Sequence, residues 1–276
     1  MGEQNVRLNK DEGAHQAFMK ALLAEVHALE TMLSSGMLES GVRRIGAEQE
    51  MFLVDRARKP ANKAREILAA IGDRRFTHEL GLFNLEANLS PRKLGGDCLR
   101  QLETEAQWLY RRARETAAKF DCDIALVGIL PTLTKANLGL DSMTPIPRYH
   151  ALNDAICALR GKDFEFTING IDQLSVKHDN VMLEACNTSF QVHFQVSPEH
   201  FARNYNIAQL ITGPLLAAAY ANAGAVAQAR VELADYDWPR WPIQDEIRRT
   251  ADLERATAAY RKALSYDPGN ATANRR

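Results

Sequence analysis

Two glutamates, Glu48 and Glu50, stand one residue apart inside a short apolar segment. Apolar residues dominate from Met51 to Val54, and a stretch rich in Arg, Lys and Pro follows, so the pattern predicts a β-strand. Because successive side chains of a strand point to opposite faces, both carboxylates lie on one face. Two close carboxylates repel each other and are costly to desolvate, and a bound divalent cation such as Mg²⁺ or Mn²⁺ relieves both costs. The alternative is a solvent-facing strand that carries two acids, since this spacing alone is a weak motif.

Two further segments alternate polar and apolar residues, which predicts strands with one polar face each. In segment 82–89, Glu86 shares the polar face with two asparagines, Asn84 and Asn88. In segment 190–197, His193 lies between two glutamines on the polar face, Gln191 and Gln195. A single histidine in a strand is often purely structural, but a row of amide, imidazole and amide groups suits ligand or metal binding.

The composition of the chain is that of an ordinary soluble globular protein, with 276 residues, 46% of them hydrophobic and 25% charged. A formal net charge of −1 gives no electrostatic argument for a nucleic acid or an anionic membrane as partner. The longest apolar run, around 215–220, is far too short to span a bilayer, and residues 1–5 lack the apolar core of a signal peptide. We therefore expect a cytoplasmic protein with no nucleic-acid or membrane partner.

The cysteines are widely scattered, at Cys98, Cys122, Cys157 and Cys186. No C-x-x-C spacing indicates a zinc site, and four cysteines in a chain of this length do not form a disulfide scaffold. We expect reduced thiols without a catalytic role.

Helical periodicity alternates with these strand patterns along the chain. Amphipathic or apolar helices are predicted over 15–35, 63–71, 97–119, 149–160 and 204–223, and strands over 45–55, 82–89, 124–130, 164–168 and 190–197. Neither of the common glycine-rich phosphate loops is present in the sequence. The order predicts an α+β fold, in which an antiparallel sheet has helices on its back and an open, polar front.

Five short segments, in this order, resemble the glutamate–cysteine ligase family of the bacterial carboxylate–amine ligase type. They are GAEQE (46–50), ELGLFNLEAN (79–88), GILPTL (128–133), MTP with Arg148-Tyr149 (143–149) and NTSFQVH (187–193). Each segment alone is a weak signal, but five in the family's order make a specific one. The resemblance covers about residues 40–222.

The resemblance implies a glutamine-synthetase-like catalytic fold, with an antiparallel sheet curved around a metal-filled funnel. It also implies an ATP-dependent ligase that joins a glutamate-like carboxylate to an amine or amino acid through an acyl phosphate, with Mg²⁺ or Mn²⁺ as cofactor. Residue by residue, the implied metal ligands are Glu48, Glu50, Glu86 and His193, with Glu79 as a further candidate. The implied substrate or phosphate contacts are Arg148 and Asn187, and the supporting positions on the nucleotide and metal side are Gln191 and Gln195.

The resemblance stops after about Asn222, where members of the family continue for well over a hundred residues. Segment 235–242 contains two prolines and predicts a linker. The spacing Ala-x3-Tyr-x2-Ala-x4-Pro at 256–268 resembles the second helix of a tetratricopeptide repeat, although a plain amphipathic helix is the alternative. We therefore predict an N-terminal helix (1–40) packing on the ligase domain, the N-terminal part of that domain (41–225), and a linker with a helical tail (226–276).

Two functions from different classes remain open at this stage. The first is an ATP-dependent carboxylate–amine ligase, either active or an inactive fragment of one. The second is a non-catalytic scaffold that binds a metal or nucleotide and docks a protein through its helical tail. A homodimer is a further expectation, because an incomplete sheet leaves a strand edge that can pair with a second copy.

Overall fold

A computed structural model describes residues 12–169 and 172–222 of the chain. The chain divides into two compact units, Met1–Gln195 and Val196–Arg276. The first unit contains α1 (Glu12–Ser34), β1 (Arg44–Val54), α2 (Ala64–Ile71), β2 (Phe76–His78), β3 (Asn84–Lys93), α3 (Cys98–Ala117), β4 (Asp123–Ala125), α4 (Pro147–Arg160), β5 (Phe164–Asn169), β6 (Gln173–His178) and β7 (Phe190–Phe194). The described part of the second unit contains α5 (Phe201–Asn222).

The main sheet is antiparallel and is organised around β1. Strand β3 pairs along one edge of β1, and β2 pairs with the outer edge of β3. On the opposite edge of β1, β7 pairs with the first half, over 45–49, and β4 pairs with the second half, over 52–54. A separate two-stranded sheet consists of β5 and β6. The α+β class with an open antiparallel sheet is thus confirmed.

The back of the main sheet is covered by α2 and α3. The alternation of β1 and β3 sends Met51, Leu53 and Leu85 to this side, where they are completely buried. The helical stripe of α3 meets them through Leu109 and Ala113. This layer forms the larger hydrophobic core and holds β1 and β3 in a fixed register.

The front of the sheet has an apolar half and an acidic half. Phe52 and Val54 of β1 are buried on the front under a second cluster, which includes Leu138, Met143 and Met182. Glu48 and Glu50 precede them on the same face, beyond this cover. The change from apolar to acidic residues along one face of β1 therefore marks the edge of an open site.

Three sequence predictions about elements differ from the structure. The strand predicted over 124–130 ends at Ala125, and Leu126, Val127 and Ile129 are exposed. Strand β6 was not predicted; it pairs antiparallel with β5, from Phe164 with His178 to Asn169 with Gln173. The apolar side chains of β7 do not join the core, since Phe190, Val192 and Phe194 are each about half exposed.

Other sequence predictions stay open. The apolar stripe of α1, which includes Phe18, Leu22, Val26 and Leu29, is exposed, so its packing on the ligase domain remains a prediction. The predicted linker and the tetratricopeptide-like helix lie outside the described residues. No helix in the described part of the chain is long and apolar enough to cross a membrane.

Candidate functional site

The acidic half of the sheet brings two glutamates directly opposite each other. Glu50 of β1 and Glu86 of β3 are partners in the antiparallel register, and Thr77 of β2 pairs with Glu86 on the far side. Glu79 reaches the same place from the turn after β2. Its backbone is held by Thr144, whose hydroxyl donates a hydrogen bond to the carbonyl oxygen of Glu79 at 2.5 Å.

The carboxylates of Glu50, Glu79 and Glu86 form one cluster, which we call the acid cluster. One oxygen from each lies within 4.8 Å of the other two. Burial, followed by the hydrogen bond and the negative charge of Glu86, raises the pKa of Glu79 to about 8. At neutral pH Glu79 therefore carries a proton in the cation-free protein, because its burial and then the neighbouring Glu86 disfavour its charged form.

Glu50 has the opposite environment, because both of its oxygens accept hydrogen bonds. Oε2 accepts from the backbone nitrogen of Ser189 at 2.7 Å and from its hydroxyl at 3.1 Å. Oε1 accepts from Nε2 of Gln191 at 3.1 Å. These donors fix the direction of the Glu50 carboxylate.

Glu48 and His193 flank the acid cluster on the β7 side. His193 Nε2 lies 3.5 Å from Glu48 Oε2, and the imidazole is about half exposed. Burial and the negative charge of Glu86 raise the pKa of Glu48, and the neighbouring His193 opposes that shift. The pair thus lies in the electrostatic field of the acid cluster, although the described groups that could together hold a metal ion include neither residue.

The other site residues lie at different distances from the acid cluster. Arg148 is the second residue of α4, and its guanidinium carbon lies 5.9 Å from the ring centre of Tyr149. Burial and then the charge of Glu79 raise the pKa of Tyr149 to about 12, which places this ring beside the acids. Asn187 follows a short 3₁₀ helix and forms a β-bridge with Ile129.

Gln195 lies beyond the end of β7 and takes part in a separate polar network. Its side-chain oxygen accepts a hydrogen bond from Arg44 at 2.7 Å, and its nitrogen donates to Glu39 at 2.8 Å. Both the oxygen and the nitrogen of this amide are hydrogen-bonded within the protein. A contact between Gln195 and a nucleotide therefore stays a prediction.

Comparison with known families decides which kind of protein has this arrangement. A family model described as Glutamate-cysteine ligase family 2 matches residues 44–247. The chain belongs to this family. The match covers every segment of the acidic half of the sheet and runs past residue 222, where the sequence resemblance was expected to end. No curated protein matches the chain, and no solved structure matches it either.

Glutamate-cysteine ligase family 2 is of the carboxylate–amine ligase type. For this family member, the structure brings together Glu50, Glu79 and Glu86, with Glu48 and His193 beside them. No sequence pattern indicated a role for Ser189, although Ser189 lies two residues before Gln191 and continues the polar face of β7. Asn88 was assigned only to a polar face, and its amide donates a hydrogen bond of 2.5 Å to Glu86.

The donor set of the acid cluster fits a hard divalent cation. Carboxylate oxygens are the ligands that Mg²⁺ and Mn²⁺ prefer, and three of them converge here from two strands and a turn. The proton retained on Glu79 indicates that negative charge is in excess in the absence of a cation. The residues that would hold the ion are Glu50, Glu79 and Glu86, and Glu48 and His193 remain predicted further ligands.

Proposed function

We propose that the chain is an ATP-dependent carboxylate–amine ligase that forms an amide through an acyl phosphate. The observation that carries this proposal is the convergence of Glu50, Glu79 and Glu86 on the open front of the sheet. Membership of Glutamate-cysteine ligase family 2 supports the reaction type, and the acid cluster supports the need for a divalent cation.

The chemistry requires strong screening of negative charge. A carboxylate is a poor electrophile, and its attack on the γ-phosphate of ATP brings two anions together. When bound, Mg²⁺ or Mn²⁺ supplies charge screening and positions the phosphates. Glu50, whose carboxylate is oriented by Ser189 and Gln191, serves as a fixed ligand for the ion. Glu79 keeps a proton until positive charge arrives and then releases it.

The remaining site residues receive roles on the substrate side. Arg148 lies next to Tyr149 beside the acid cluster, where its positive charge suits a phosphate or the carboxylate of a glutamate-like substrate. Asn187 precedes the segment that anchors Glu50 and is proposed to contact the same substrate. Gln191 and Gln195 are proposed to support the metal and nucleotide side, and Gln191 does so through its hydrogen bond to Glu50.

The decisive experiment is an assay of ADP release with ATP, Mg²⁺, L-glutamate and a panel of amines. We expect release that depends on both the carboxylate and the amine, and its loss in Glu50→Gln. The matched control is Glu103→Gln, which removes an exposed carboxylate of α3 that accepts a hydrogen bond from Gln107. Calorimetry with Mg²⁺ and with ATP is measured in parallel.

Two outcomes would contradict the ligase. A folded protein that binds Mg²⁺ and ATP but releases no ADP would be the non-catalytic scaffold. A folded protein that binds no Mg²⁺ would remove the metal site itself.

A further inference from the structure

The apolar stripe of α1 is not covered by any other described part of the chain. Apart from the partly buried Met32, every side chain of α1 whose burial is described is exposed. Seven large apolar residues of the helix are between 40 and 64% exposed: Phe18, Met19, Leu22, Leu23, Val26, Leu29 and Leu33. Helices in proteins owe most of their stability to the packing of an apolar face, so a helix of 23 residues with this stripe requires a partner surface.

The spacing of the stripe is that of an interface between two helices. Met19, Val26 and Leu33 are seven residues apart, and Leu22 and Leu29 each follow three residues after one of them. Apolar residues therefore occupy five successive a and d positions of a heptad pattern, which we call the α1 seam. Such a seam packs along one partner helix of similar length.

The α1 seam lies outside the part of the chain that the family accounts for. The match to Glutamate-cysteine ligase family 2 begins at residue 44, ten residues after the end of α1. The acid cluster uses no residue of α1. The helix is therefore free to serve a purpose other than the ligase reaction.

The exposed area and the charges of α1 fit a second copy of the same helix. The seven exposed side chains present on the order of 600 Å² per copy, so a pair buries on the order of 1,200 Å² and passes the roughly 1,000 Å² of a specific interface. A helix that lies in a membrane surface instead carries many Lys and Arg residues on its polar face. The exposed charges of α1 include Lys20 but also Glu25 and Glu30, which disfavours an anionic membrane.

The charges beside the seam favour an antiparallel pair. In a parallel pair, Glu25 at a g position would lie against Glu30 at the following e position of the other copy, and the two acids would repel each other. An antiparallel pair centred on Val26 separates these acids. It lays the first half of one helix, with Lys20, against the second half of the other helix, with Glu30.

We propose that the chain forms a homodimer in which α1 packs antiparallel against α1 of a second copy through the α1 seam. Such an interface is isologous, because the same surface is used by both copies. The proposal goes beyond the ligase reaction, and it differs from the pairing of strand edges that the sequence led us to expect.

Sedimentation equilibrium on the full chain tests the proposal. We expect a dimer with a dissociation constant in about the micromolar range, as an interface of this size allows. The double variant Leu22→Glu with Leu29→Glu should weaken the dimer by at least about a hundredfold, because it would bury charges in the seam. The matched control is Leu99→Glu with Leu159→Glu, which places the same charges at leucines that are 65% and 89% exposed on α3 and α4. Thermal melting verifies that each variant is folded.

Charge reversal tests the orientation of the two helices. In the antiparallel pair, Lys20→Glu and Glu30→Lys each place like charges across the interface, and each should weaken the dimer about three- to tenfold at low salt. The double variant restores opposite charges and should restore the affinity. In a parallel pair, Glu30→Lys alone would strengthen the dimer, because it would face Glu25, and this result would overturn the antiparallel arrangement.

Two further results would overturn the proposal as a whole. One is a strict monomer up to about 0.1 mM, which would instead favour packing of α1 on its own chain. The other is a dimer that persists in the variant Leu22→Glu with Leu29→Glu, which would place the contact at another surface, such as a strand edge of the sheet. The assay of ADP release reports the ligase reaction separately from both results.

Discussion

Glu50 and Glu79 have the same side chain but lie in different environments within one cluster. Glu50 accepts three hydrogen bonds, from the backbone and side chain of Ser189 and from Gln191, and these fix the direction of its carboxylate. Burial and Glu86 instead raise the pKa of Glu79 to about 8. The site therefore combines an oriented carboxyl group, Glu50, with a second one, Glu79, that ionises when positive charge arrives.

The sequence was sufficient to find the residues that lie on strands. Alternation placed Glu48 with Glu50 on one face and Glu86 on another polar face, because parity along a strand is a local property. Glu79 lies in a turn, where no periodicity indicates a direction, so only the family resemblance suggested it. The pairing of Glu50 with Glu86 could not be derived, since register depends on contacts between distant segments.

The contribution of Ser189 to the orientation of the Glu50 carboxylate can be tested by removing the Ser189 hydroxyl. We expect Ser189→Ala to weaken Mg²⁺ binding by about three- to tenfold, because one of the three hydrogen bonds to Glu50 is lost. The backbone donor remains, so binding should not disappear. Calorimetry with Mg²⁺ measures the change, and Ser34→Ala, an exposed serine at the end of α1, is the control. Unchanged affinity in Ser189→Ala would show that its hydroxyl does not orient Glu50.

At the scale of elements, the turn 79–83 positions Glu79 and depends on Gly81. A Cβ atom on Gly81 would clash with Oδ1 of Asn84 and lie 3.1 Å from the Cβ of Ala185. Asn84 is only 2% exposed and cannot move into solvent. Close packing around this glycine therefore sets the path of the turn.

We expect Gly81→Ala to reduce the free energy of unfolding by about 1–3 kcal/mol, as overpacking of a core does. Mg²⁺ affinity should fall as well, because the shifted turn carries Glu79. Gly128→Ala is the matched control, since a Cβ there meets no atom within 4 Å. Urea unfolding and Mg²⁺ titration measure the two effects. Equal stability of the two variants would refute the packing argument.

A buried ion pair joins α3 to β3. Glu105 accepts hydrogen bonds from the backbone and hydroxyl of Ser90 and pairs with Arg92 at 2.9 Å and Arg75 at 3.3 Å. Burial alone would raise the pKa of Glu105, but these partners outweigh burial and hold the pKa below its ordinary value. The side chain thus fastens the helix to the end of the strand that carries Glu86.

We expect Glu105→Gln to lower the free energy of unfolding by about 1–3 kcal/mol, since the change removes the anion that pairs with the partly exposed Arg92 and weakens the hydrogen bonds from Ser90. Because the pKa of Glu105 is lowered by folding, its ionised form stabilises the fold at pH values above its unfolded pKa. The difference in free energy of unfolding between the wild type and Glu105→Gln should therefore shrink as the pH falls below about 4. Urea unfolding at several pH values measures it, with Glu103→Gln on the same helix as control. A constant difference down to about pH 3 would contradict the assigned charge state.

At the scale of the whole molecule, the acid cluster exists only when the first unit is folded. Its residues come from β1, the turn after β2, and β3. The hydrogen bonds that orient Glu50 come from Ser189 and Gln191, at and just before the start of β7, more than a hundred residues further along the chain. A cation that binds all three carboxylates therefore binds the native state and not the unfolded chain. Such binding stabilises the fold by mass action, and its strength depends on the proton held by Glu79.

The last prediction links pH, Mg²⁺ and stability. The folded pKa of Glu79, about 8, lies above its ordinary value of 4.5, so the native state binds more protons than the unfolded state between these values. Without a cation, the stabilisation of the fold by the proton on Glu79 is fully present below about pH 4.5 and is lost as the pH rises through about 8. Mg²⁺ competes with the same proton, so its stabilising effect should grow over the range in which the contribution of Glu79 falls.

Thermal melting between about pH 6 and about pH 9, with and without Mg²⁺, measures both trends. We expect Glu79→Gln to flatten the pH dependence of the cation-free protein, because the amide has no proton to lose. In the wild type at neutral pH, calorimetry in buffers of different ionisation enthalpy should detect the release of a proton on Mg²⁺ binding, and Glu79→Gln should abolish it. If the cation-free wild type and Glu79→Gln show the same slope of melting temperature against pH, Glu79 does not hold the proton, and the assigned charge state of Glu79 is wrong.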